Sequence, residues 1–90
     1  MLVQKNVISH EYEGDLNITA LRISDECEKI QYKAFANCKN LYAVIVDRSD
    51  KPIAIELSAF KGCKNLVLFD TDRPIRFFTD FNARRQRSNG

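Results

Sequence analysis

Two apolar patterns alternate along this chain. The first, L-x-x-V-x-V, is written by Leu41, Val44 and Val46, and by Ile18, Leu21 and Ile23. Its end alternates apolar with variable positions, the spacing of a short half-buried strand. The second, I-x-x-x-A-F-x-x-C-x-x-L, runs from Ile30 to Leu41 and again from Ile55 to Leu66. Its apolar positions recur four, four and three apart, which predicts one tight turn of α- or 3-10 helix. The octapeptides AFANCKNL (34–41) and AFKGCKNL (59–66) differ at two of eight positions, so the patterns recur in a fixed order.

The echo extends beyond these copies. Stepping back 23 residues puts Tyr12 under Phe35 and Ile18 under Leu41, with Val7 in the place of Ile30. Gly14 precedes the cysteine position as Gly62 precedes Cys63. Stepping forward, Leu66, Phe69 and Thr71 continue the series, and Ile75 and Phe78 match Pro52 and Ile55. A unit of 23 to 25 residues with two apolar edges cannot bury them alone, but stacked units share one core. The prediction is an α/β repeat, a short solenoid of about three coils at roughly 7–29, 30–54 and 55–82. It has a narrow parallel sheet on one face and short helical or 3-10 turns on the other. Residues 1–82 make the solenoid, with 1–8 and 75–82 as atypical caps, and 83–90 a basic disordered tail.

The repeated A-F-x-x-C-x-x-L signature followed by alternating apolar residues resembles the leucine-rich repeats of the BspA type, the treponemal class. The copies at 30–46 and 55–69 match closely, while that at 7–23 has Glu11-Tyr12 for Ala-Phe and Asp15 for Cys. The family often continues with Ile-Pro after the strand, where this chain has Ile23-Ser24 and Val46-Asp47. The resemblance implies a leucine-rich-repeat solenoid that works by presenting its sheet face to another macromolecule.

Composition narrows the chemistry. Ninety residues, 44% hydrophobic and 29% charged, fit one small globular domain, and a net charge of +2 does not by itself point to nucleic acid or membrane. No run approaches the ~20 apolar residues of a membrane span, and the start lacks the apolar core of a secretory signal. A cytoplasmic location is expected for the chain as written, and a surface or secreted one if it is an excised fragment. Cys27, Cys38 and Cys63 include no C-x-x-C pair and His10 stands alone, so neither metal nor cofactor is expected. Cys38 and Cys63 share a coil position and read as small buried packing residues. Asn40 and Asn65, also equivalent, read as partners for backbone groups across a turn. Phosphate loops, nucleophile elbows and separated triads are missing, so no enzyme is expected.

The best candidate site follows from alternation. If Leu21/Ile23, Val44/Val46 and Phe69/Thr71 point inward, the rows Ala20–Ala43–Leu68 and Arg22–Ile45–Asp70 point outward. Ile45 and Leu68 then form an apolar centre beside Ala43, with Arg22 and Asp70 flanking it, the composition of a recognition patch. The expected function is a non-enzymatic protein-protein interaction module. The alternative is a small standalone inhibitor or adaptor of a nucleic-acid-handling complex, acting through Arg84, Arg85 and Arg87 of the tail. Open solenoid ends also make a homodimer an expectation.

Overall fold

Alternating stretches too short to hold a sheet alone pair with their equivalents one coil away. The computed structural model describes residues 1–83. Its strands are β1 (Leu2–Val3), β2 (Val7–Ile8), β3 (Ala20–Ile23), β4 (Lys29–Ile30), β5 (Ala43–Val46), β6 (Ile53–Glu56), β7 (Leu68–Thr71) and β8 (Ile75–Phe78). The odd-numbered strands form one four-stranded sheet and the even-numbered strands a second. Every pairing is parallel. The solenoid of about three coils is therefore the fold, built from parallel sheets with almost no helix.

The second sheet is what the repeat pattern did not disclose. The pattern beginning at Ile30 and Ile55 opens with a strand, and its tight turns follow as single three-residue hydrogen bonds. Ala34 N donates to Gln31 O, Ala36 N to Lys33 O and Cys38 N to Phe35 O. A regular 3-10 turn forms at His10–Tyr12. Isoleucine and the residues around it suit an extended backbone, and a parallel neighbour 25 residues away in Ile55 satisfies it.

Two register assignments change. Ile8, not Val7, pairs with Ile30, and Val7 pairs with Lys29. Four residues separate Ile8 from Tyr12 where five separate Ile30 from Phe35, so a rigid step of 23 overshoots by one. Phe77, not Phe78, pairs with Ile55, and Ile75 pairs with Ile53. The arc between β7 and β8 has three residues, Asp72 to Pro74, whereas that between β5 and β6 has six, Asp47 to Pro52. Residues 1–8 also do more than cap: β1 and β2 extend both sheets and bury Val3 and Ile8.

The core lies between the sheets and holds the repeated anchors Ile18, Leu21, Ile23, Ile30, Leu41, Val44, Val46 and Ile55. Tyr12, Phe35 and Phe60 stack through it with centroids 5.3 and 5.4 Å apart and planes within 9°. Polar ladders run beside the rings. Cys38 Sγ donates to Tyr12 O at 3.2 Å and Cys63 Sγ to Phe35 O at 3.0 Å, one coil back in each case. Asn40 Nδ2 donates to Leu16 O and Asn65 Nδ2 to Lys39 O in the same sense. Both side chains do satisfy backbone groups, but one coil back rather than across their own turn, and from exposed positions. The corner before the cysteine position is left-handed in every coil, with Gly14 at φ 73°, Asn37 at 60° and Gly62 at 80°. Glycine and asparagine are the residues that enter that region at least cost.

Two buried charged side chains secure the last coil. Glu56 accepts hydrogen bonds from Ser58 N and Oγ and from Asp80 N, tying residue 80 to β6. Arg73 lies beneath the loop before β6, where its Nε donates to Lys51 O and Nη2 to Pro52 O.

Phe35→Ala should lower stability by about 3–5 kcal/mol, because it empties the centre of the ring column. Phe60→Ala should cost less, since Phe60 is only partly buried. Gly62→Ala should cost about 1–2 kcal/mol in left-handed strain alone, and its methyl would also press on the Asn37 side-chain oxygen. Denaturant titration of the three variants checks both the order and the size of these effects.

Candidate functional site

The outward rows form as alternation requires. Ala20 pairs with Ala43 and Ala43 with Leu68, while Arg22 pairs with Ile45 and Ile45 with Asp70. Leu21, Ile23, Val44 and Val46 face the core between them. Ile45, on an interior strand, is 43% exposed and Leu68, on edge strand β7, 48% exposed. All five proposed site residues therefore lie on one face of the odd-numbered sheet. Their roles differ in detail. Ala43 is only 6% exposed and serves as the floor of the patch between Ala20 and Leu68. Arg22 is directed to one side, its Nε 2.7 Å from Asp47 Oδ1 in the next coil. Asp70 has no ion-pair partner among the described residues.

The structure enlarges the patch at both ends. Leu2 of β1 pairs with Arg22 and so continues the row to Leu2–Arg22–Ile45–Asp70. Met1 and Leu2, with Ala20, Ala43 and Ile45, line a shallow groove of about 250 Å³. The Met1 ammonium is tied into the sheet through Ala20 O at 2.9 Å. At the strand entrance, Tyr42 N donates to Thr19 O, and Tyr42 O receives both Val67 N and Leu68 N. Exposed Tyr42 and Val67 lie there beside the patch. Sequence reasoning missed both, although each directly follows a repeated leucine, Leu41 or Leu66. The two variable positions of L-x-x-V face outward together, which simple alternation does not allow. The sequence offered no signal for Met1 and Leu2, which lie outside the repeat.

A second polar cleft of about 380 Å³ lies on the other side of the molecule between His10, Glu13, Lys33 and Asp80. The thiols are not poised for chemistry. Burial pushes Cys27, Cys38 and Cys63 above the ordinary thiol value of 9.0, so at neutral pH they remain thiols. All are free; Cys38 is buried as a packing residue should be, whereas Cys63 is only partly buried. The proposed tail contacts Arg84, Arg85 and Arg87 lie outside the described residues. No helix among the described residues is long and apolar enough to cross a membrane.

A stack of parallel strands, a repeated aromatic corner and an outward sheet face define a solenoid repeat protein. Compared with known proteins, residues 5–81 match the family model described as BspA type leucine rich repeat region (6 copies). The match covers most of the chain, which belongs to that family. Repeats of this class generally mediate protein-protein interaction and are typically non-enzymatic. No curated protein and no solved structure matches the chain.

The raised thiols give a pH prediction. A group whose folded value lies above its unfolded value stabilises the fold below the unfolded value, and that contribution is lost as pH rises through the folded one. Stability should therefore show no thiol-dependent change at neutral pH and should fall as pH climbs above 9.0. Alkylation at neutral pH, followed by mass spectrometry, should label the unfolded chain far faster than the native one.

Proposed function

We propose that the chain is a non-enzymatic protein-binding module whose contact surface is the outward face of the odd-numbered sheet. Ile45 and Leu68 form its centre, Ala43 its floor, and Arg22 and Asp70 its charged margins, with Leu2 and Tyr42 adjoining. The supporting observation is the aliphatic patch held rigidly on four hydrogen-bonded strands. A flat face whose backbone is already ordered loses little conformational entropy on binding, so burial of its apolar centre goes largely into affinity. Family membership supports the same reading.

Central desolvated side chains carry most of the energy of an interface, and truncating one can cost about 2 kcal/mol or more. Ile45→Asp should therefore weaken partner retention by at least about 30-fold. Its melting temperature should stay near that of the parent, because the side chain faces away from the core. Affinity capture with parent and variant, alongside thermal melts, tests this. Unfolding of the variant would mean that the two faces are exchanged. Normal folding with undiminished binding would remove the sheet face as the contact surface. A steep loss of affinity with salt would instead favour phosphate contacts by the tail.

A further inference from the structure

The two ends of the solenoid are not alike. At the N-terminal end the edge strands β1 and β2 have two residues each. Lys5 makes an ion pair with Glu11 and its ammonium lies 5.6 Å from the centroid of the Tyr12 ring, over the start of the aromatic column. Asp15 stands where later coils have a thiol donor. Short strands and charged side chains are the usual means of blunting a sheet edge.

The C-terminal end lacks the short strands, and its two edge strands carry one exposed charge each, Asp70 and Arg76, of opposite sign. Strands β7 and β8 have four residues each, and each pairs on one side only. Between them the core opens as an apolar cavity of about 260 Å³ lined by Ile55, Phe60, Leu66, Phe69, Ile75 and Phe77. Phe69 is 37% and Phe77 65% exposed. The described residues that leave β8, Thr79 to Ala83, do not line this cavity. Asp80 and Ala83 line the cleft with His10 and Gln31, back along the outside of earlier coils.

We propose that this end is a dimer surface, closed by a second copy of the chain related by a two-fold axis running along the strands. Both edge strands then gain antiparallel partners at once, β7 on β8 of the second copy and β8 on its β7. The short arc from Asp72 to Pro74 sets the register, because Thr71 and Ile75 leave and enter it at the same level. Leu68 then meets Phe78 of the second copy, Phe69 meets Phe77, Asp70 meets Arg76 and Thr71 meets Ile75. The alternation agrees. Phe69 pairs with core-facing Val44 and Phe77 with core-facing Ile55, so the two rings face the shared interior. Asp70 and Arg76 both face outward, both are exposed, and neither has an ion-pair partner among the described residues. The two-fold supplies that pair twice.

The aromatic column also favours a second copy over a further coil of the same kind. Phe69 lies edge-on to Phe60, with centroids 5.6 Å apart and planes at 85°, which ends the parallel stack. Stacking onto the N-terminal end of another molecule would place the cavity against Lys5, Glu11 and Asp15. The isologous arrangement closes at two copies, whereas a head-to-tail one would grow into a filament.

Sedimentation velocity of the chain across a concentration series reaching the millimolar range tests the proposal. The expected result is a monomer-dimer equilibrium with no larger species. Asp70→Arg and Arg76→Asp should each weaken the dimer by about ten-fold or more through like-charge apposition, and the double exchange should restore it. Thermal melts establish that each variant is folded. A parent that stays monomeric overturns the proposal, as do species that grow beyond two copies. So does a folded double variant no stronger than the singles. Ile45→Asp should leave the dimer unchanged, which separates the dimer from contacts made by Ile45, whereas Leu68 and Asp70 belong to both surfaces.

Discussion

Register between successive coils is the constraint on which this molecule depends. None of the described strands exceeds four residues, and so short a strand has no stability of its own. Each becomes stable only when its backbone groups are met by the equivalent strand one coil away, at the ~4.8 Å spacing of a sheet. The same step places ring over ring along Tyr12, Phe35 and Phe60, and thiol over carbonyl at Cys38 and Cys63. Apolar burial, aromatic stacking and polar satisfaction all require the same displacement. A slip by one residue would lose all of them together.

The outward face follows from that constraint. Because inward positions are fixed by the core anchors, the residues between them are free of packing duty and can be chosen for recognition. The patch around Ile45 and Leu68 is thus rigid without contributing to the core. Its charged margins differ in freedom: Arg22 is held by Asp47, whereas Asp70 has no ion-pair partner among the described residues. The two ends of the stack follow from the same constraint, since a coil with no neighbour must either end in charge or leave its edges unmet. Among the described residues, the N-terminal end takes the first course, and β7 and β8 take the second.

Much of this was legible in the chain itself. The doublet at 34–41 and 59–66 fixes the period, the period fixes the solenoid, and alternation at Leu21/Ile23 and Val44/Val46 fixes which rows face out. The sheet pairings place Ala20–Ala43–Leu68 and Arg22–Ile45–Asp70 side by side as that logic requires. These are local consequences of spacing, because side-chain direction in a strand depends only on position.

What the sequence could not settle lies where loop length and neighbouring coils compete with the period. A missing residue before Tyr12 shifts the first coil so that Ile8 takes the place of Val7, and a three-residue arc gives Phe77 the place of Phe78. The second sheet escapes a local reading because Lys29–Ile30 is too short to declare itself a strand without Ile55 beside it. Ala43 is outward by alternation, yet its neighbours in adjacent coils cover it. Glu56 and Arg73 are buried because a neighbouring coil supplies their partners: Asp80 of the last coil donates to Glu56, and Arg73 of the last coil donates back to Lys51 O and Pro52 O. Spacing determines which way a side chain points; burial and pairing depend on what arrives from another coil, and only the assembled stack decides that.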